Sequence, residues 1–364
     1  MIIISLIIAT AIPFSLLYLV YQLDLYASRS YKLVLISFIW GGIAVLISLI
    51  LANQLVFNLG LVDLTTFSRY VAPVSEELIK AAVLIVLVQQ SRFTYFVDGA
   101  IYGVAAGMGF AIIENALYLS NDPEVGTAVS RVISTNLMHA TATGIVGIAL
   151  GRAHFERFSG RLLWLLLGLT LAIGIHAGFN NLVSRMNGRF LLLYATIIGM
   201  AGFGFIIFVI KRGLAEQKQW IEETLSKTSG ITSGETAIVQ RLDNVYDILT
   251  PLATQFGPEK AQAIEAFLML QARLGILQKT YYKVKDDKVR QGIEAQIVTL
   301  QQEIDDARRQ VGPYCMVYLR NIFPEQNSLL WLQLEEKINN RAKQPSGTNI
   351  WQTVKTRTQL PENE

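Results

Sequence analysis

Long apolar runs constrain this chain more than any other feature of its sequence. An α-helix rises about 1.5 Å per residue, so a run of about 20 apolar residues crosses the hydrocarbon core of a bilayer. Such runs occupy residues 2–23, 33–57, 70–90, 98–120, 131–151, 162–184 and 190–210. The sequence therefore predicts an all-α fold, a polytopic transmembrane helix bundle of about seven spans.

The first and third runs need separate interpretation. Residues 1–23 begin without the basic segment of a cleavable signal peptide, which favours a first span over a removed leader. The third run is the least hydrophobic, because Glu76, Glu77 and Lys80 interrupt it. A hydropathy window can miss this span, although it carries a dense group of intramembrane charges.

The charge distribution divides the chain into an apolar body and a polar tail. Hydrophobic residues make up 52% of the 364 residues and charged residues only 16%, and most of the charges follow residue 210. The net charge of +3, without a basic block, argues against a nucleic-acid partner. We predict a transmembrane domain at 1–212 with its motif core at 70–185, a linker at 213–236, a helical cytoplasmic domain at 237–342 and a disordered tail at 343–364.

Lysine and arginine favour the cytoplasmic side of a membrane protein, and their distribution predicts the orientation of this chain. With the N-terminus outside, the inner segments hold nine of them and the outer loops four. We therefore expect a multi-pass cell-membrane protein with an extracytoplasmic N-terminus and a cytoplasmic C-terminus. The C-terminal domain has no recognisable catalytic motif, and we interpret it as the binding region for an unidentified cytoplasmic partner.

Polar side chains inside four of the runs are the candidate functional residues. An ionisable group within a bilayer is costly unless it has a partner or a function. Their positions in the runs place Glu76, Glu77, Glu114, Asn115, His139 and His176 roughly 8–12 Å below the outer boundary, so four antiparallel helices bring them into one layer. At helical spacing, Lys80 can reach either neighbouring glutamate. The candidates are Glu76, Glu77, Lys80, Glu114, Asn115, His139, His176 and Asn180.

Other residues of these runs indicate packing or local structure. Small residues at steps of four in the fourth and fifth runs predict close contact between two helices. Pro73 removes a backbone donor just before the glutamates and can open that helix to water. Asp98 is interpreted as a helix N-cap, and His154, in a basic inner loop, as a solvated side chain.

Four segments that contain the candidates resemble the PrsW-type intramembrane protease family, which belongs with the CAAX prenyl endopeptidases and the bacteriocin-immunity-type membrane proteases. The resemblance covers about residues 70–185, and its specificity comes from four motifs in this order within separate spans. The wider superfamily commonly has an arginine four residues after the second glutamate, whereas Lys80 follows at three here. This matches the PrsW branch and argues against a prenylated substrate. The segments are PVSEELIK at 73–80, DGAIYG running into GFAIIEN at 98–115, HATAT at 139–143 and HAGFN at 176–180.

The resemblance implies glutamate-dependent, metal-independent peptide hydrolysis without a cofactor, acting on membrane-anchored proteins such as anti-sigma-factor-like proteins. Amide hydrolysis needs an activated water, a stabilised oxyanion and a proton for the leaving amine. We assign Glu76, the first of the pair, as the general base. By resemblance, His139 positions the water, and His176 with Asn180 forms the oxyanion hole.

The remaining candidates are expected to support this chemistry. Glu77 is grouped with the catalytic residues and is expected to organise Lys80 or a neighbouring helix. Glu114 and Asn115 are expected to complete the polar network or to orient a histidine. The sequence leaves open which of the three glutamates carries which role.

Two other functions use the same residues. Carboxylates and histidines are zinc ligands, so a membrane metalloprotease is possible chemistry, although the sequence has no His-Glu-x-x-His motif and Lys80 would compete with a cation. A transporter or receptor could use the carboxylates as a proton or ion relay. No serine or cysteine nucleophile arrangement is evident, because the only cysteine, Cys315, lies in the polar tail.

Overall fold

The computed structural model describes residues 2–22, 31–90, 93, 95–185, 189–225, 231, 236, 239 and 245–321. Within these ranges all regular secondary structure is helical, which confirms the predicted fold class. The predicted disordered tail at 343–364 lies outside the described residues. In the membrane half the helices are α1 (Ile2–Gln22), α2 (Tyr31–Ala52), α3 (Leu64–Thr66), α4 (Ala72–Leu87), α5 (Phe96–Asn121), α6 (Val125–Arg131), α7 (Leu137–Ala153), α8 (Phe158–Val183) and α9 (Arg189–Leu225).

Six described helical stretches are long and apolar enough to cross a membrane. They correspond to six of the seven predicted runs, with α6 and α7 forming one stretch, Val125–Ala153. The predicted third span corresponds to α4, which is shorter and carries the charged residues. The helical bundle is thus observed. Helix α4 is shorter and less apolar than the six long stretches, because it carries the charged side chains.

Three π-helical segments, Asn53–Asn58, Phe67–Val71 and Val132–Asn136, occur in the described part of the chain. The second leads directly into α4, two residues before Pro73, and the third leads directly into α7. A π-helical turn widens the backbone and is frequent at functional sites. The local opening expected near Pro73 therefore takes the form of a widened turn ahead of the glutamates.

Helix α5 lies at the centre of the membrane bundle and packs against α7, α2, α1 and α9. Its small residues make this possible, since a Cβ atom added at Gly103 or Gly107 would overlap the backbone of α7. The predicted close contact between these two helices is confirmed. Many large apolar side chains of α1, α2, α8 and α9 are exposed on the outside of the bundle, where a lipid environment accommodates them.

The C-terminal half contains α10 (Val245–Phe256), α11 (Pro258–Lys283), α12 (Asp287–Val311) and α13 (Pro313–Asn321). Helix α9 passes through the predicted domain boundary at residue 212, so residues 213–225 of the predicted linker are helical. They are helical because Trp220, Ile221 and Leu225 are buried against the C-terminal helices. The hydroxyl of Thr224 also donates to the Gly275 carbonyl of α11 at 3.0 Å. One hydrophobic core therefore runs from the membrane helices into this domain.

Two local interpretations of the sequence are wrong. Asp98 is not the N-cap of α5 but lies in its first turn, where its Oδ2 accepts a hydrogen bond from the Tyr95 backbone N–H at 3.1 Å. His154 is buried rather than solvated, with Nδ1 3.1 Å from the Val88 carbonyl oxygen. The loop around it is basic in sequence, but α4 and α12 enclose the imidazole, which no local pattern reveals.

Candidate active site

The two adjacent glutamates of α4 have different surroundings. The Glu77 side chain is fully buried, whereas that of Glu76 is 13% exposed and lines an open cavity of about 530 Å³. Successive residues of an α-helix differ by about 100° in direction, so one carboxylate enters the bundle and the other faces the cavity. Of these two glutamates, Glu76 is the one that faces the cavity, which Glu114 of α5 also lines.

Glu77 is the centre of a buried hydrogen-bond network. Its Oε1 lies 2.6 Å from Lys80 Nζ and 2.9 Å from His176 Nδ1, and its Oε2 accepts from the Thr143 hydroxyl at 3.2 Å. The predicted pairing of Lys80 with a glutamate is therefore observed for Glu77. Three donors satisfy this carboxylate, and they join α4 to α7 and α8 at the depth of the site.

The hydrogen-bond directions set the tautomer of each histidine. At His176, Nδ1 donates to the Glu77 carboxylate, so in the neutral imidazole the lone pair is on Nε2, 3.8 Å from Glu76 Oε2. At His139, Nδ1 lies 3.1 Å from the Lys80 ammonium, which can only donate, so the ring proton resides on Nε2. This Nε2 lies 3.3 Å from Glu114 Oε2. One imidazole thus offers an acceptor at the site and the other a donor.

An arginine at the end of α6, absent from the predicted site residues, borders the site. Arg131 donates from Nη2 to Glu114 Oε2 at 3.0 Å and from Nε to Asn115 Oδ1 at 2.7 Å. Its guanidinium lies 3.7 Å from the centre of the Tyr118 ring, and the Asn115 amide donates in turn to Asn136. The sequence signal that could have found this pairing is the charge of Arg131. It is opposite to that of Glu114 and lies at the start of the next predicted span, which runs antiparallel to the span with Glu114.

Asn180 lines the same cavity as Glu76 and His176, one helical turn along α8 from the histidine. Its amide nitrogen donates one hydrogen to the Ser68 carbonyl of the π-helical turn at 2.9 Å. An amide nitrogen has two hydrogens, so a second donor is directed elsewhere. The structure thus brings together all eight predicted site residues, which come from four helices, α4, α5, α7 and α8.

Comparison with known proteins identifies the family of this chain. Residues 29–211, half of the chain, match the family model described as PrsW family intramembrane metalloprotease. This chain belongs to the PrsW family. Proteins named Protease PrsW are 30% identical over 202 residues in Shouchella clausii, covering 53% of this chain and 89% of that protein, and 30% identical over 130 residues in Bacillus subtilis, covering 35% and 59%.

A third relative, Protease PrsW from Halalkalibacterium halodurans, is 36% identical over 96 residues, covering 26% of this chain and 44% of that protein. The chain therefore spans about half to nine-tenths of the length of these curated relatives. No solved structure matches this PrsW family member significantly. Its C-terminal helices lie outside the region that the family model matches.

The family description implies a metal, and Glu76, His139 and His176 each offer a ligand atom within 4.8 Å of the others. His176 suits zinc, because its Nε2 lone pair is free and Glu77 orients the ring from behind. His139 does not suit it, because Lys80 occupies the lone pair of Nδ1 and Nε2 carries a proton. In this arrangement the three residues do not fit a zinc ion.

Proposed function

We propose that this chain is an intramembrane endopeptidase in which Glu76 activates the attacking water. The observation that carries this proposal is the pair of acceptors, Glu76 Oε2 and His176 Nε2, 3.8 Å apart at an open cavity. A water between them can donate one hydrogen to each and keep an oxygen lone pair for attack on a peptide carbonyl. Glu76 accepts the proton during attack and returns it to the leaving amine.

The assignment of Glu76 rather than Glu77 rests on hydrogen-bond saturation. Glu77 accepts from Lys80, His176 and Thr143 and has no exposed surface. A carboxylate that is already paired and enclosed is poorly placed to take a proton from substrate water. Glu77 instead holds His176 in the tautomer whose Nε2 accepts.

The histidine tautomers support an exchange of the roles implied by family resemblance. Because Nε2 of His176 accepts, this residue helps to position the water. Because Nε2 of His139 donates, this residue can stabilise the oxyanion, together with the second amide hydrogen of Asn180. During the reaction the bond from His139 to Glu114, which is long at 3.3 Å, gives way to the bond with the oxyanion.

The walls of the cavity favour an apolar, extended segment of a membrane-anchored protein as substrate. Apolar residues of α2, α5 and α8 line it beside the polar cluster, among them Val45, Leu49, Leu117 and Phe179. A transmembrane helix must unwind locally before one of its peptide bonds can be cleaved. Unwinding frees backbone N–H and C=O groups, and a polar, water-accessible pocket within the bilayer can hydrogen-bond them. With the predicted orientation, cleavage occurs near the extracytoplasmic face and serves regulatory proteolysis.

The test compares membrane-protein fragments from cells that express the wild type, Glu76→Gln or Glu124→Gln. Glu124 is an exposed glutamate before α6 and serves as a matched control for loss of one carboxylate. We expect fragments of a single-span protein that depend on Glu76 and not on Glu124. Full processing of every substrate by Glu76→Gln would refute the assignment, and cuts only on the cytoplasmic side would refute the orientation.

Zinc-dependent hydrolysis is the second candidate, favoured by the proximity of Glu76, His139 and His176. Metal analysis of the purified full chain separates the two mechanisms. Glutamate-activated water predicts cleavage without stoichiometric metal and without inhibition by chelators. Zinc at one equivalent, with activity lost on chelation and restored by zinc, would replace the first mechanism with the second.

A further inference from the structure

A second cavity, of about 770 Å³, lies at the far end of the membrane helices from the active site. His139 and His154 are both on or next to α7, 15 residues apart, which places the two cavities about 20 Å from each other. The second cavity lies between the ends of α4 and α7, the start of α8 and the start of α12. Its volume is within the range of about 300–1,000 Å³ for ligand sites.

The lining of this cavity is amphipathic. Ile85, Leu162 and Leu165 form an apolar wall, and the neighbouring Phe158 is exposed on the lipid-facing side of α8. The opposite rim is polar and carries Arg161, Asp286 and Lys288. An apolar wall that continues into the bilayer surface and a cationic rim at its edge are the two features that a phospholipid requires.

His154 gives this cavity an unsatisfied acceptor. Its Nδ1 donates to the Val88 carbonyl, and within the described part of the chain no group hydrogen-bonds its buried Nε2. Burial lowers the pKa of His154 to about 4, so the ring is neutral at physiological pH and Nε2 accepts. Such an acceptor calls for a hydroxyl or another donor.

Among the described residues that line this cavity, the charged rim has a surplus of one cation. Arg161 Nη2 lies 3.3 Å from Asp286 Oδ2, and Lys285 pairs with Glu156 at 2.7 Å, which leaves Lys288 as the additional charge beside the cavity. These two ion pairs also join the connection between α11 and α12 to the start of α8 and the loop before it. A ligand here would contact both halves of the protein.

We propose that this cavity binds an anionic phospholipid whose headgroup carries hydroxyl groups, with its phosphate near Arg161 and Lys288, a headgroup hydroxyl as donor to His154, and an acyl chain along α8. The site is independent of peptide hydrolysis and lies at the opposite membrane boundary from Glu76. The lipid would join the C-terminal helices to the membrane domain by filling the space between them.

Native mass spectrometry of the purified full chain tests the proposal by titration with phosphatidylglycerol or phosphatidylcholine. We expect phosphatidylglycerol to be retained at lower concentration, and Lys288→Gln to weaken its binding ~5-fold. Arg309→Gln is the matched control, because Arg309 is an equally exposed cation of α12 and lies about 30 Å farther along the helix. His154→Phe keeps ring packing with Phe93 and Phe155 but removes the acceptor, and should weaken binding ~5-fold.

Competition with glycerol phosphate or inorganic phosphate distinguishes a lipid from a soluble anion. We expect neither to displace the bound lipid at concentrations equal to that of phosphatidylglycerol. Equal retention of the two lipids, an equal effect of Lys288→Gln and Arg309→Gln, or displacement by phosphate alone would each overturn the proposal. Because Lys288 is exposed, its substitution leaves the fold intact and keeps the test decisive if His154→Phe unfolds.

Discussion

The buried pair of Glu77 and Lys80 allows a quantitative test of the active-site network. Both side chains have no exposed surface, and their charged atoms are 2.6 Å apart. Lys80→Met removes the charge while keeping a long unbranched side chain, and it leaves Glu77 with fewer donors in an apolar bundle. Breaking a buried ion pair from one side costs about 3–5 kcal/mol, because the remaining charge is desolvated without compensation.

The double substitution should recover much of this loss. Glu77→Gln keeps an oxygen that accepts from His176, and combined with Lys80→Met it leaves no buried charge at the pair. We therefore expect each single change to lower the free energy of unfolding by about 3–5 kcal/mol, and a coupling energy of at least about 2 kcal/mol between them.

The assay is reversible unfolding of the purified chain in mixed micelles, followed by helical circular dichroism. The matched control is the same cycle at Asp306 and Arg309, which have the same spacing in α12 but are both solvent-exposed. Its coupling should be too small to resolve. Additive effects of Glu77→Gln and Lys80→Met would refute the reasoning, because two residues that stabilise each other must be coupled.

Three further expectations follow from packing, burial and the site. Gly103→Ala introduces a Cβ into the α7 backbone and should cost about 1–3 kcal/mol in unfolding free energy, whereas Gly204→Ala, with no neighbouring atom in the way, should cost nothing measurable. Because burial lowers the pKa of His154 from 6.5 to about 4, the unfolded state binds the proton more readily. The contribution of the neutral ring to the free energy of unfolding should therefore fall by roughly 3 kcal/mol as pH drops from 6.5 towards 4. The melting temperature of the wild type should accordingly decrease more over this pH range than that of His154→Phe. Arg131→Gln releases Glu114 and should lower the kcat of the folded protein about tenfold or more, while Arg185→Gln, an exposed control, should leave kcat unchanged.

The sequence was sufficient to predict the membrane bundle and the set of residues that meets in it. Apolar runs of spanning length determine their own environment, and the rare ionisable groups inside them are costly unless they cluster. The glycines of α5 likewise predicted its contact with α7, because small residues at a four-residue step form one helix face. Apolar length and the spacing of small residues are properties of single helices, so they can be read from the local sequence.

The tertiary structure decided what each polar residue contacts. Glu76 and Glu77 are adjacent in sequence, and only the positions of Lys80 and His176 make one of them buried and paired. The same holds for Arg131, which a local pattern presents as a loop charge and the fold places against Glu114. Apart from Lys80, the hydrogen-bond partners of Glu77 come from helices other than α4, so their identity depends on packing. The long apolar runs therefore determine by themselves that the chain spans a membrane, and the packing of those runs determines the chemistry of the residues inside them.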